Sequence, residues 1–210
     1  MIGFSVELLD RYEAVLDSEG KSYLHRIRAA GARMDQLILD LLKLGRLNTA
    51  DLVIEEVDLD EALRKVLAGL AGEIANKRAQ IEIQQPLPPV QASAVILDQV
   101  LGNIISNALK FVPPSRPPII QIRAEARDGA VRLWIRDNGI GIKEQHHNKL
   151  FQPFSRLVSE REFPGTGIGL AIVSKGVERM GGRSGVESEP EKGSAFWIEL
   201  TASKPQRPQG

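Results

Sequence analysis

Between Gly20 and Asn48 the chain runs without a proline, and its apolar residues return in alternating steps of three and four: Leu24, Ile27, Gly31, Met34, Ile38 and Leu41. That spacing marks one face of an α-helix. A second row at Tyr23, Ala30, Leu37 and Leu44 repeats every seven residues on the same side. The helix therefore carries a wide apolar stripe of the kind that bundle helices bury. Ahead of it, Leu8, Leu9, Tyr12, Val15 and Leu16 form a shorter amphipathic stretch, and LDSEG (Leu16–Gly20) separates the two with a capping Asp or Ser and a helix-ending Gly. The pattern predicts an antiparallel helical hairpin with arms at about 2–17 and 20–49, within a unit of residues 1–50. At about 1.5 Å per residue the shorter arm covers the longer one only to about residue 33. Met34, Leu37, Ile38, Leu41, Leu42 and Leu44 are then expected to face a partner, which predicts a homodimer through residues 20–48. The competing expectation is a monomer whose remaining residues fold back over the stripe.

From Val53 the periodicity becomes mixed. A short strand at 53–57 precedes Asp58, an N-cap for a helix to about Asn76, and Ile81–Ile83 reads as a strand before a QQPLPPV loop. A helix from about Ala94 to Phe111 follows, closed by VPP. Ile119–Ala126 and Ala130–Arg136 alternate with period two around Asp128-Gly129, the signature of a β-hairpin. A helix from about Thr166 to the Gly181-Gly182 pair and strands at 183–187 and 194–200 complete the reading. Strands and helices without regular βαβ alternation imply an α+β class, with helices on one face of a mostly antiparallel sheet over residues 51–203. Residues 204–210 are expected to be a disordered tail.

Composition narrows the function classes. With 42% hydrophobic and 26% charged residues the chain is globular in character. Lys+Arg and Asp+Glu both total 27, so no bulk charge draws it to nucleic acid or to anionic membrane. The absence of cysteine excludes disulfides, thiolate metal sites and a Cys nucleophile, and fits a reducing compartment. No apolar run is long enough to span a bilayer, so no membrane contact is expected and the predicted location is the cytoplasm.

Three clusters carry chemistry. DNGIGI (Asp137–Ile142) follows a strand directly. Its Gly139 and Gly141 free the backbone, and Asp137 is placed to accept a hydrogen bond, although an ordinary strand-ending turn reads the same way. GTGIGL (Gly165–Leu170) leads into an apolar helix, whose N-terminal amides and dipole suit a phosphate. It is neither the dinucleotide fingerprint nor a P-loop. Asn103 and Asn107 stand one turn apart on the helix from Ala94, with Lys110 near them. Two amide oxygens and a cation on one face suit magnesium and phosphate, while a polar face in water is the plain alternative. The rest of QVLGNIISNALKF is apolar, so amides there need partners.

Taken together and in order, the clusters resemble the catalytic, ATP-binding domain of bacterial sensor histidine kinases. NIISNALKF resembles the N box, DNGIGI the first glycine box, LFQPFSRL the Phe-containing box, GTGIGLAI the second glycine box and KGSAFWIEL the last. The resemblance runs from about Val53 to Thr201 and extends to the superfamily shared with gyrase, a heat-shock chaperone and mismatch-repair ATPases. It implies a two-layer α/β sandwich that binds ATP with Mg2+, with a mobile lid at about Val158–Gly165. It further implies that Asp137 accepts from the adenine amino group, that Gly141 lets the base approach, and that Phe111 and Ile142 pack near the base. Asn107, helped by Asn103, would hold magnesium, and Lys110 and Arg156 would reach the phosphates. Gly165, Gly167 and Gly169 would hinge the lid and wrap the triphosphate, with Gly139, Thr166, Leu170 and Ser194 completing the nucleotide contacts. ATPases of the superfamily carry a Glu one turn before the magnesium-binding Asn, where it activates water. Here Asn103 holds that place and cannot take a proton. That favours phosphoryl transfer to a protein, or bare nucleotide binding, over rapid hydrolysis.

The hairpin also resembles the family, through IGFSVELL and YLHRIRAAGARMDQLILDLLKLGRL of its dimerisation domain. The H box that supplies the phosphoacceptor lies ahead of IGFS in the family and is not found in these residues. His25 reads as a polar boundary residue, and His146 and His147 read as surface residues before the Phe box. The expectation is a histidine kinase-type phosphotransferase core that passes phosphate to a His on another chain, with a response regulator or an intact histidine kinase as partner. A non-enzymatic nucleotide-binding dimerisation module and a slow ATPase are the alternatives.

Overall fold

The computed structural model describes residues 2–12, 14–49, 52–155, 163 and 165–203. Two helices open the chain, α1 (Ile2–Tyr12) and α2 (Ser18–Thr49), and they pack against each other. The first arm is shorter than expected, and α2 begins at Ser18 rather than after Gly20. Asp17 explains the shift. Its Oδ1 accepts from the Gly20 amide at 2.7 Å, so Asp17 caps the helix and Gly20 lies inside the first turn instead of ending a helix.

A short strand β1 (Glu55–Val57) leads to Asp58, whose carboxylate accepts from the amides of Asp60 and Glu61 and caps α3 (Leu59–Gly69). The single helix predicted to Asn76 is two: Leu70 leaves helical geometry between Gly69 and Gly72, and α4 (Ala71–Lys77) follows. Then come β2 (Gln80–Ile83), β3 (Val90–Ala92), α5 (Ala94–Lys110), β4 (Ile119–Arg127) and β5 (Ala130–Asp137). A 3₁₀ turn at Glu144–Lys149, α6 (Gly169–Arg179), β6 (Arg183–Ser188) and β7 (Ser194–Thr201) complete the fold.

The main sheet runs β2-β4-β5-β7-β6, with β2 parallel to β4 and the other neighbours antiparallel. Asp128 and Gly129 both have positive φ, as the two-residue turn between β4 and β5 requires. β1 and β3 form a separate antiparallel ribbon, tied to the sheet by a bridge from Val90 to Ala202. One sheet face is covered by helices. Ile120, Ile122, Leu133, Ile135, Phe196 and Ile198 meet Leu97, Val100, Leu101, Ile104 and Ile105 of α5 in a continuous core that includes Ile172 and Val177 of α6. Gly176 sets the spacing of the two helices: a Cβ there would lie 2.9 Å from Val100 and 3.0 Å from Ile96. The opposite face carries Trp134 and Trp197 with centroids 6.3 Å apart and the Arg132 guanidinium over both. This is the predicted two-layer α/β sandwich.

The hairpin is not detached from it. Leu47 is 3% exposed, Leu37 and Leu44 pack on the sandwich core, and Arg179 of α6 donates to the Leu47 carbonyl. The stripe therefore divides. Leu37 and Leu44, expected to await a partner, turn onto the sandwich. Met34, Ile38, Leu41 and Leu42 stay open at 45–56% exposure.

Candidate functional site

The site is assembled at the C-terminal ends of α5 and β5 and at the start of α6. Asn103, Asn107 and Lys110 lie half-buried along one side of α5. Asn103 Nδ2 donates back to the Gln99 carbonyl at 2.7 Å, which turns Oδ1 toward the glycine loop; a Cβ on Gly169 would sit 2.7 Å from it. The half-buried Asn107 side chain has no hydrogen-bond partner among the described residues. Lys110 Nζ stands 4.6 Å from the Phe111 ring centroid, and a Cβ on Gly165 would collide with that same Nζ. Phe111 and Phe163 rings lie 5.3 Å apart. The glycine loop thus rests directly on α5, where a side chain at 169 would press on Asn103 Oδ1 and one at 165 would push the Lys110 ammonium aside.

Asp137 closes β5, only 7% exposed. Its Oδ1 accepts from the Gly139 amide at 2.7 Å and the Ser194 amide at 3.1 Å, and no donor meets Oδ2 among the described residues. Burial pushes its pKa up to about 6, against the pull of those two amides and of Arg136. Around it the loop is zipped to its neighbours: the Ile140 amide donates to the Phe111 carbonyl at 3.0 Å, and the Glu191 amide to the Ile140 carbonyl at 2.8 Å. Gly141, at φ 67°, has the Glu189 carbonyl where its Cβ would be, so the missing side chain makes room for the turn before β7. Ile142 is half-buried against the core, and its amide donates to Ser188 Oγ at 2.9 Å.

At the other end, α6 starts at Gly169, three residues later than predicted from Thr166. Gly167 at φ 73° cannot continue a helix, and no side chain caps the N-terminus. Only Thr166 Oγ1 reaches back, accepting from the Ile168 amide at 3.4 Å. Uncapped N-terminal amides with the dipole behind them make an anion site. Leu170 packs on the core, and Ser194 is buried beside Asp137. Asn103 and Lys110 thus adjoin Gly169 and Gly165, with Asn107 between them on α5 and Phe111 at its C-terminus, while Asp137–Ile142 and Ser194 form the other end. Arg156 and all of the expected lid except Phe163 and Gly165 lie outside the described residues.

Two residues escaped the sequence reading. Ser188 Oγ gathers the Ile142 amide, the Gly193 carbonyl and Ser194 Oγ, each at 2.9 Å. Asn138 fixes the other side of the loop, accepting from the Ile119 amide and donating to the Pro117 carbonyl. Neither has a local signal for this role, because the Ile142 amide that Ser188 holds and the Ile119 and Pro117 groups that Asn138 holds are remote in sequence. The three histidines make only weak contacts: His25 to Arg28, His146 to Gln145 and His147 to the Ile142 carbonyl. None has a carboxylate partner among the described residues.

Residues 92–204 match the family described as histidine kinase-, DNA gyrase B-, and HSP90-like ATPase. The chain belongs to that family. Cyanobacterial phytochrome B of Nostoc is 35% identical over 198 residues, covering 94% of this chain and 26% of that protein. Sensor histidine kinase AruS of Pseudomonas aeruginosa is 32% identical over 197 residues, covering 90% of this chain and 20% of that protein. The chain thus spans about a quarter or less of these relatives. Among solved structures, full-length ShkA in complex with AMPPNP has a TM-score of 0.72 at 30% identity, covering 99% of this chain and 43% of that one. The mycobacterial sensor histidine kinase MprB has a TM-score of 0.61 at 29% identity, covering 71% of this chain and 98% of that one. The molecule is a sensor histidine kinase-type ATP-binding core. No helix among its described residues is long and apolar enough to cross a membrane.

Proposed function

We propose that this core binds ATP with Mg2+ and delivers the γ-phosphoryl group to a histidine that is none of His25, His146 or His147. The observation that carries the reading is Asp137: a buried carboxylate with one oxygen held by two backbone amides and the other left for a donor. An adenine amino group supplies such a donor. Phe111 and Ile142 flank the base, and Gly139, Gly141 and Ser194 hold the carboxylate and its loop in place. The phosphates run to the uncapped start of α6, where the amides of Gly167, Gly169 and Leu170, Lys110 and Arg156 meet them, with Gly165 and Thr166 wrapping the chain of phosphates.

A divalent cation fits the donors present. Asn107 has no side-chain partner among the described residues and Asn103 Oδ1 faces the glycine loop, so neutral hard oxygens are available while phosphate and water complete the shell. Held through Asn107 and Asn103, the ion would neutralise part of the charge that develops on the phosphates during transfer. In the transfer, a P–N bond forms to the acceptor imidazole, the bond from Pγ to the bridging oxygen breaks, and ADP leaves. Asn103 occupies the place from which a carboxylate would activate water, which supports transfer over hydrolysis. The open stripe of α2 supports a homodimer through residues 20–48, and an Asp on a response regulator is the next acceptor in such a relay.

Calorimetry and labelled ATP test this reading. Wild-type protein is expected to bind Mg-ATP in the micromolar range, about 8 kcal/mol, and Asp137→Asn to bind it at least tenfold more weakly. Label is expected on an added, intact dimerisation domain carrying an H box, and not on this chain. Equal affinity of the variant overturns the base pocket; label on neither protein, with no phosphate released, favours a non-enzymatic nucleotide-binding module.

A further inference from the structure

The hydroxyl of Thr166 is already engaged. Its Oγ1 donates to Asp40 Oδ2 at 2.7 Å, across 126 residues of sequence. Asp40 belongs to α2, so the helical hairpin places a carboxylate against the loop proposed to wrap the phosphates. That carboxylate is well held: its side chain is 13% exposed, Oδ1 accepts from Gln36 Nε2 at 2.8 Å, and Lys43 Nζ stands 3.8 Å away. Leu37 and Leu44, one turn to either side, pack on the sandwich, and Arg179 holds the Leu47 carbonyl beyond them. Asp40 is therefore presented to the loop by packing.

Two physical consequences follow. A threonine hydroxyl has one proton, and while Asp40 takes it none is left for a phosphate oxygen. A triphosphate laid on the start of α6 would also lie beside a fixed negative charge, whose cationic neighbour among the described ion pairs is the half-exposed Lys43. The base end of the site, at Asp137, has no contact with α2 among the hydrogen bonds and ion pairs of the described residues.

We propose that Asp40 gates the phosphate end of the site, so that α2 docked through the Asp40–Thr166 hydrogen bond and a triphosphate bound at the glycine loop exclude one another. The coupling is reciprocal: docking weakens triphosphate binding, and triphosphate loosens the docked part of α2 by the same factor. Adenosine, which has no phosphate, is indifferent to the gate. The inference rests on the nucleotide-site reading above, and the test separates the two.

The test is calorimetry of wild-type, Asp40→Asn and Asp40→Glu proteins with adenosine and with Mg-ATP, joined to hydrogen exchange over residues 37–47. Asp40→Asn is expected to bind Mg-ATP on the order of fivefold more tightly with adenosine unchanged, while Asp40→Glu, which keeps the charge, stays near wild type. Mg-ATP is expected to speed exchange in residues 37–47 of the wild type and to change it little in Asp40→Asn. Equal Mg-ATP affinity of wild type and Asp40→Asn overturns the gate while leaving the nucleotide site standing. So does weaker binding by the variant, or a gain shared by adenosine, since either makes Asp40 a structural support. Absence of Mg-ATP binding in every protein overturns the nucleotide site and the gate together.

Discussion

Helices α2 and α5 are both written with the helical period, yet they meet different fates. Over 17 residues, α5 buries Ile96, Leu97, Val100, Leu101, Ile104, Ile105, Ala108 and Leu109 against its own sheet and neighbours. Over 32 residues, α2 buries one large side chain, Leu47, among those described, and leaves Met34, Ile38, Leu41 and Leu42 about half open. Periodicity says that a helix has an apolar face. It does not say whether the same chain supplies the cover. For α5 the sheet satisfies the whole face; for α2 the sandwich takes one row and a second surface remains.

The largest expected effect comes from breaking the satisfied helix. Leu101 is fully buried, and Leu101→Ala is expected to destabilise the sandwich by about 2–5 kcal/mol through lost burial and a residual cavity. Denaturant melts followed by tryptophan fluorescence read this directly, since Trp134 and Trp197 lie in the same sheet. An equal truncation on the open row of α2 is expected to leave that melt unmoved. A melt that moves equally for both would erase the contrast between the helices.

Polar groups sharpen the same point. Asp137 stabilises a site at a cost to the fold, because its folded pKa of about 6 lies above its ordinary value of 3.8. Between those values the native state holds more protons than the unfolded one, so this group's contribution to stability falls as pH rises through the window and is lost above it. The gap of about two units corresponds to an upper bound of about 3 kcal/mol at neutral pH. Asp137→Asn is therefore expected to be more stable than wild type at pH 7, with the difference shrinking toward pH 4. Mg-ATP affinity of the wild type is expected to move oppositely, falling as pH drops through 6 and the carboxylate gains its proton. Parallel pH series of melts and calorimetry check both signs.

Much of this was legible because it is local. The β4–β5 hairpin announces itself in Asp128-Gly129, α5 in its period and the boxes in their order. What stayed hidden depends on remote partners. β3 is three residues beside prolines, defined only by its ladder with β1 and its bridge to Ala202. Ser188 and Asn138 matter through groups far along the chain. The division of the α2 stripe follows from where α6 comes to rest, which no spacing within α2 encodes.

The open row itself is the next target. Leu41 is 45% exposed, and burying the remainder at a dimer interface is worth about half of the roughly 1.5–3 kcal/mol of full burial. Leu41→Glu is expected to weaken a homodimer by tenfold or more in light scattering while Mg-ATP binding persists. A wild-type monomer at tens of micromolar would leave α1 and the sandwich as the cover of α2 among the described residues.

The smallest effect separates the two surroundings by a single methyl group. Gly45 of α2 is exposed, and nothing lies within 4 Å of where its Cβ would be. Gly176 of α6 is buried, with Val100 at 2.9 Å and Ile96 at 3.0 Å from that position. A glycine inside a helix costs roughly 0.8–1.0 kcal/mol relative to alanine, because it loses more backbone freedom on folding. Gly45→Ala keeps that gain in full and is expected to strengthen the helical arm by a few tenths to about 1 kcal/mol. Gly176→Ala receives the same entropic gain but forces α6 away from α5, and overpacking a tight core costs typically 1–3 kcal/mol. The two variants should therefore shift thermal unfolding in opposite directions, Gly45→Ala slightly up and Gly176→Ala down. Shifts of the same sign would mean that the space around α6 relaxes as freely as the open side of α2, and that the α5–α6 contact is not set by Gly176.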